Sequence, residues 1–491
     1  MPAGRAVVVA LGALVLVAVV GWPGAVAWGY DFSIDVRTVG QGYQVRRYAP
    51  NGGNELLTRR RLTQYLNLNV YNIEPERWRD PERERNTLYV DVSLRFDSDF
   101  GGYMLARPTG INEIRELQQN QVDILYAYVG GRDMGGRVDF QLGRQVHYDL
   151  VDFYAFDGAT VAVRLHRPLV AQAFAGTEVH GELPLSSPLY QQDGTSIGSQ
   201  DPATRPAQAR QLRPLAGAAL ALEGWEGLTA RLAYRRTWSY TADRLDGEPG
   251  SGVNDEKVAL TATANWRRRV YATLGVRYNL LLASADDQQL GVRVRVGDRH
   301  WLGAEHAYLA PTFDGDSIWN IFAAGAYRDL RATYEVVIAD GVRAHARAFA
   351  RFFERAPGEV VGGVDPGAGA PGGRVAAGGN AGASWRRSGG VLRADVYFDD
   401  GYGGRKAGGD ASGRYTLHPG GVELEGRLTG YHWRSDLQPQ SNTGVVFGAQ
   451  AGTRFPIAEG MRLYLLAEDN VGTFYRSQYR GLAILEIDVS L

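Results

Sequence analysis

The last eleven residues, Gly481 to Leu491, constrain this chain more than any other stretch. Ala483, Leu485, Ile487, Val489 and Leu491 fall on one face of an extended segment. Glu486, Asp488 and Ser490 fall on the other, joined nearer the start by Leu482 and Ile484. A period of two carried to the final residue predicts a strand with one apolar and one partly polar face. Such a strand at the end of a sheet leaves an edge that must be paired or covered. A closed barrel in a bilayer pairs its last strand with its first, and its outer face uses the apolar half of the alternation. A soluble β-sandwich that ends on an alternating strand is the other arrangement this stretch allows.

The same unit, about ten alternating residues and then a turn, recurs from Phe32 onward. Thr87 to Phe100 sets Leu88, Val90, Val92, Leu94 and Phe96 against Tyr89, Asp91, Ser93, Arg95 and Asp97. Val258 to Trp266, Ala272 to Leu280, Leu290 to Val296, Val342 to Phe352 and Leu392 to Phe398 repeat it at the length of a tilted transmembrane strand. Long connections rich in Gly, Asp, Ser or Pro are expected at 101–121, 179–214, 243–256, 356–374, 399–410, 434–443 and 470–477, with short turns between them. The fold expected is all-β, a single closed antiparallel transmembrane barrel of roughly 18 to 22 strands over residues 28–491. The raw count is about twenty-three, which is odd where bacterial barrels are even. Pro311 to Ser317 is the segment suspected of being misread as a strand. Two stretches could fold inward and narrow a pore: Ile111 to Leu117, with Ile114 and Leu117 at helical spacing behind an Asn112 cap, and the long loop 179–214.

Residues 1–27 have the layout of a cleaved secretory signal: a basic residue at Arg5, an apolar run from Ala6 to Val20, and Ala25-Val26-Ala27 before Trp28. The remainder has a negative mean hydropathy and no second apolar run, which leaves strands as the means of crossing a membrane. With no cysteine, disulfides and cysteine-ligated metals are excluded. A formal charge of -1 argues against a nucleic-acid partner. No HExxH spacing, Gly-x-Ser-x-Gly elbow or phosphate loop supports an enzyme, a metal centre or a bound cofactor.

The alternating C-terminal strand resembles that of Gram-negative outer-membrane β-barrel proteins, with Leu491 where a Phe or Trp is usual. The resemblance implies an outer-membrane location, lipid contact and delivery by the assembly machinery that reads this strand. A second likeness lies in Leu142-Gly143-Arg144-Gln145 and Phe156-Asp157-Gly158-Ala159. These resemble the Gly-Arg-Gln and Phe-Asp-Gly-Ala elements of the alginate-export group of outer-membrane porins. That implies a porin exporting or passing a polysaccharide or another anionic solute, with periplasmic polysaccharide-export proteins as partners.

From alternation alone, Arg144 shares the lipid side with Phe140 and Leu142. Either Gly143 is a bulge that turns Arg144 inward, or Arg144 sits at the membrane border, and Asp157 is its expected partner. The opposite faces of neighbouring strands send Arg231, Arg277, Arg293, Arg295, Arg331, Arg343, Arg347, Arg351 and Arg393 into one lumen, with His345 among them. Unpaired guanidinium groups in a pore favour anions. Asp139, Glu335, Asp395, Glu423 and Glu425 face the same way, so a salt-bridged wall and a closed structural or adhesive barrel form the competing expectation.

Overall fold

The computed structural model describes residues 31–48, 54–73, 88–99, 121–166, 168–179, 213–241, 250–310, 326–354, 374–417, 421–435, 443–473 and 475–490. They form twenty-two strands. The first eleven are β1 (Asp31–Tyr48), β2 (Asn54–Tyr71), β3 (Leu88–Asp99), β4 (Gln121–Met134), β5 (Val138–Tyr148), β6 (Phe153–His166), β7 (Leu169–Glu178), β8 (Pro214–Trp225), β9 (Leu228–Thr241), β10 (Gly250–Trp266) and β11 (Val270–Asn279). The rest are β12 (Ser284–Val296), β13 (His300–Leu309), β14 (Tyr327–Ala339), β15 (Val342–Phe353), β16 (Val375–Arg387), β17 (Gly390–Gly401), β18 (Gly404–Thr416), β19 (Glu423–Ser435), β20 (Thr443–Ala458), β21 (Met461–Gly472) and β22 (Tyr475–Ser490). Each pairs antiparallel with its sequence neighbours, and β1 pairs with β22 from Ser33 opposite Ser490 to Arg47 opposite Tyr475. The C-terminal strand is therefore the one that closes the sheet.

Alternation decides which side chain goes in and which goes out. Leu220, Leu232 and Leu260 sit side by side across β8, β9 and β10 on the outer face and are exposed. One residue earlier on each outer strand, Ala219, Ala233 and Ala259 form the matching row on the inner face and are buried. An even number of strands brings both ends of the sheet to one rim. Seven connections on that rim, 135–137, 226–227, 267–269, 297–299, 340–341, 388–389 and 459–460, are short, and 72–87 is the longer exception. The opposite rim carries the longest ones, including 179–213, 310–326 and 354–374. A closed, even-stranded barrel with an apolar exterior and this asymmetry lies in the outer membrane, with the short turns in the periplasm.

Several expectations need correction. Two strands, β13 and β14, lie between His300 and Ala339, so the turn at 340–341 is periplasmic; Pro311 to Ser317 lies outside the described residues. The loop expected over 399–410 does not form: β17 runs to Gly401 and β18 starts at Gly404, because Asp399 and Lys406 pair across the hairpin. The loop expected over 470–477 shrinks to the step from Gly472 to Tyr475. Residues 1–27, the segment 111–117 and most of 179–214 lie outside the described residues.

Candidate solute path

The lumen is filled on one side. The turn between β5 and β6, Asp149 to Asp152, reaches inward and lies across the inner wall of β8 to β11. Val151 is buried against the Ala219, Ala233 and Ala259 row, with Leu150 packed beside it. Three alanines in lateral register leave a shelf that a Val side chain fills, which is why apolar residues sit at a turn tip. Asp149 holds the turn's shape, accepting hydrogen bonds from the backbone N–H of Val151 at 2.9 Å and of Asp152 at 3.3 Å. Behind the tip, Tyr154 and Phe156 of β6 pack with Phe174 of β7 and Leu215 of β8, all buried, so this sector is a solid core.

Charge fixes the tip as well. Arg235 of β9 donates to Asp152 at 3.0 Å and also to Asp255, and its guanidinium lies 4.6 Å from the centre of the Tyr154 ring. Lys257 of β10 lies 3.5 Å from Asp152 and 3.1 Å from Asp255. Arg277 of β11 donates to the Leu150 carbonyl at 3.5 Å and to Asp286 at 2.7 Å. Arg235 and Lys257 are only 2% and 6% exposed, whereas Asp152 keeps 37% of its side chain exposed. Burial pushes the Asp152 carboxyl up, but Arg235 and Lys257 outweigh it and hold the group below the usual carboxylate range.

Register sets Arg231, Arg277, Arg293, Arg295, Arg331, Arg343, Arg347, Arg351 and Arg393 on the inner face, where they divide into two sets. Arg231 donates to Gln172 at 2.6 Å and lies 3.9 Å from Asp149. Arg277 is bound to Asp286, Arg293 to Glu335 at 2.5 Å and Arg295 to Asp298 at 3.3 Å. Arg331 and Arg351 share Asp329, at 2.7 and 2.6 Å. Arg343 and Arg347 of β15 and Arg393 of β17 have no carboxylate partner among the described residues, and all three are exposed to the lumen. His345, between the first two, lies 2.8 Å from Asp395.

Two recesses open on this unfilled side. One, of about 610 Å³, is lined by Arg347, Asn380, Tyr397, Lys406, Tyr431 and Gln450 among others. The other, of about 790 Å³ and nearer the periplasm, is lined by Arg293, Arg295, Trp301, Arg343 and His345. Lys406 lies 4.6 Å from the Tyr431 ring and 5.3 Å from Tyr397. Lys406 escapes the sequence reading because 399–410 reads as a loop; once β18 is seen to start at Gly404, alternation puts it on the inner face. No sequence signal marked Arg235 or Asp152 as partners, because they lie 83 residues apart.

The motif residues meet in register: Gly143 opposite Gly158, Arg144 opposite Asp157 and Gln145 opposite Phe156. Arg144 donates from Nε and Nη2 to the two oxygens of Asp157 at 2.8 and 2.9 Å, and from Nη1 to the Ile124 carbonyl of β4 at 3.2 Å. The expectation that Gly143 could turn Arg144 inward is overturned. The β5–β6 register has no shift, and Arg144 stays on the face of Leu142, joining three strands from outside. Gly143 has φ +130 instead, in register with Gly158, which in turn pairs with Gly176. On the inner face, buried Gln145 donates to the Gly158 carbonyl at 3.0 Å and accepts from Thr160 at 2.7 Å. The six residues thus build the wall at the root of the inserted hairpin.

No protein-family model matches the chain, and no curated protein matches it in sequence. Solved structures do. OpdO of Pseudomonas aeruginosa aligns over 94% of this chain and 97% of its own at 11% identity, with a TM-score of 0.38. OccK7 (OpdD) of the same species aligns over 94% and 100% at 11% identity and TM-score 0.42. A BenF-like porin from Pseudomonas fluorescens Pf-5 aligns over 94% and 99% at 8% identity and TM-score 0.43. The closed barrel of this chain fits an outer-membrane porin on its own geometry. The alginate-export subtype finds no support in these comparisons.

Proposed function

We propose that the barrel is a channel for small anionic solutes, which pass along the unfilled side of the lumen over β15 to β18. The observation that carries this reading is the contrast between Arg343, Arg347 and Arg393, which lack carboxylate partners among the described residues, and Arg231, Arg277, Arg293, Arg295, Arg331 and Arg351, each of which lies against a carboxylate. An uncompensated guanidinium in a pore attracts a carboxylate or phosphate and never loses its charge. The inserted turn narrows the lumen, in keeping with the rule that barrels of about 22 strands carry an obstruction. Export of an acidic polysaccharide is the narrower version, supported only by the motif resemblance, with periplasmic export proteins as partners. Cleavage after residue 27 fits the same secretory route.

Single-channel recording of the purified barrel in a planar bilayer tests the reading. A salt gradient should give a reversal potential of the anion-selective sign, and Arg343→Gln, Arg347→Gln and Arg393→Gln together should move it towards zero. Arg293→Ala should change it less, since Glu335 already neutralises that site. Cation selectivity in the unmodified protein would sink the proposal. No current from a folded barrel would favour the closed structural role.

A further inference from the structure

The periplasmic rim carries a set of arginines that neither the lumen nor the wall uses. The β10–β11 turn is Arg267-Arg268-Arg269, closed by a hydrogen bond from the Arg269 N–H to the Trp266 carbonyl at 3.0 Å. Arg267 and Arg268 have φ of 52 and 56. Two successive left-handed residues in a tight hairpin ordinarily call for Asn-Gly, because a Cβ disfavours that conformation. Six other periplasmic turns put glycine at positive φ: Gly136, Gly227, Gly297, Gly341, Gly389 and Gly460. The β10–β11 turn alone among these uses arginine.

Trp266 lies on the outer face with Leu260 and is 64% exposed, and the Arg267 guanidinium is 5.1 Å from its ring. The end of β16 repeats the pattern as Trp385-Arg386-Arg387, with Trp385 on the outer face and 41% exposed. Arg299 stands in the β12–β13 turn between them. Arg267, Arg268, Arg269, Arg299, Arg386 and Arg387 are exposed and have no carboxylate partner among the described residues. Of the nearby acids, Asp298 is bound to Arg295, which leaves Asp340 as the counter-charge on this arc. Exposed tryptophans on the lipid face mark the headgroup level. Guanidinium groups at that level match phosphate bidentately and respond to the negative potential of an anionic leaflet.

We propose that this arc, from the β10–β11 turn to the β16–β17 turn, binds the headgroups of anionic glycerophospholipids in the periplasmic leaflet. Trp266 and Trp385 seat against the glycerol and upper acyl region while the arginines hold the phosphates. The strain at Arg267 and Arg268 is then offset by charge placed where the lipid phosphate lies.

The test uses the purified barrel in neutral detergent, titrated with phosphatidylglycerol, with phosphatidylcholine, and with soluble polyglutamate, and read by native mass spectrometry. Arg267→Asn with Arg268→Gly supplies the turn its preferred residues, so loss of folding is not a competing explanation, and heat-modifiability checks this. Arg386→Gln with Arg387→Gln probes the other end of the arc. Phosphatidylglycerol should be retained over phosphatidylcholine, with binding weakened about fivefold for each arginine removed. Equal retention of the two lipids, or unchanged phosphatidylglycerol binding in both variants, would overturn the proposal. Displacement of the lipid by polyglutamate would overturn it in favour of an acidic protein partner.

Discussion

Replacing Asp152 by Ala removes the tip's carboxylate from a cluster in which Arg235 and Lys257 face Asp152 and Asp255. One buried positive charge is left over. Breaking a fully buried pair costs about 3–5 kcal/mol, and an exposed one about 0–1. The two cations are almost wholly buried, but Asp152 keeps 37% of its surface in water, and water screens the attraction. About 2 kcal/mol is the value between those limits, equivalent to a roughly 30-fold larger population of the displaced turn. Apolar burial at position 151 still holds the turn, and a cysteine there, itself a small apolar side chain, keeps part of the Val151 contribution, so the turn remains mostly inserted. The assay follows from the absence of any cysteine: Val151→Cys becomes the sole labelling site. Its maleimide reaction should be slow with Asp152 present and about 30-fold faster in the Asp152→Ala background. Single-channel records should show larger currents correspondingly more often. Equal labelling rates, with the barrel folded in both cases, would refute the claim that these charges hold the turn.

Acid should release the same turn only at low pH. The Asp152 carboxyl is depressed in the folded state, so its contribution is complete above the ordinary value near 4 and is lost as pH falls through the depressed one. Conductance should therefore be steady from pH 7 to about pH 5 and change only below about pH 4. Gly158→Ala should lower folding stability in a urea titration by about 2 kcal/mol, because the new Cβ meets the Ala175 carbonyl oxygen and lies 2.7 Å from the Gly176 Cα. Gly40→Ala, whose Cβ would come no closer than 3.8 Å to another atom, should stay within about 0.5 kcal/mol. Arg144→Leu leaves Asp157 unpaired on the outer face and should weaken folding into vesicles. Adding Asp157→Leu should restore it, since an apolar pair replaces an ion pair there without leaving a lone charge.

The alternation of β22 determined the class of fold without help from tertiary structure. A strand of period two offers an apolar side to lipid at every second residue, and closure follows from the need to pair both edges. The same rule placed Arg293, Arg347 and Arg393 inside, and the spacing of Gly143-Arg144-Gln145 from Phe156-Asp157-Gly158 put the motif in one hairpin with Arg144 beside Asp157. Alternation says which face a side chain takes but not what lies opposite it. Whether Arg351 is neutralised and Arg347 is not depends on Asp329 standing across β14 and β15. That is a matter of register. Whether the lumen is clear depends on where a short turn points. Leu150 and Val151 give the turn Asp149 to Asp152 an apolar tip, but alternation does not say which way a turn points. Only the alanine shelf on β8 to β10 and two buried cations far along the chain decide that it fills the barrel instead. Contacts between residues this far apart leave no periodic trace in the sequence, so the obstruction belongs to the tertiary structure alone.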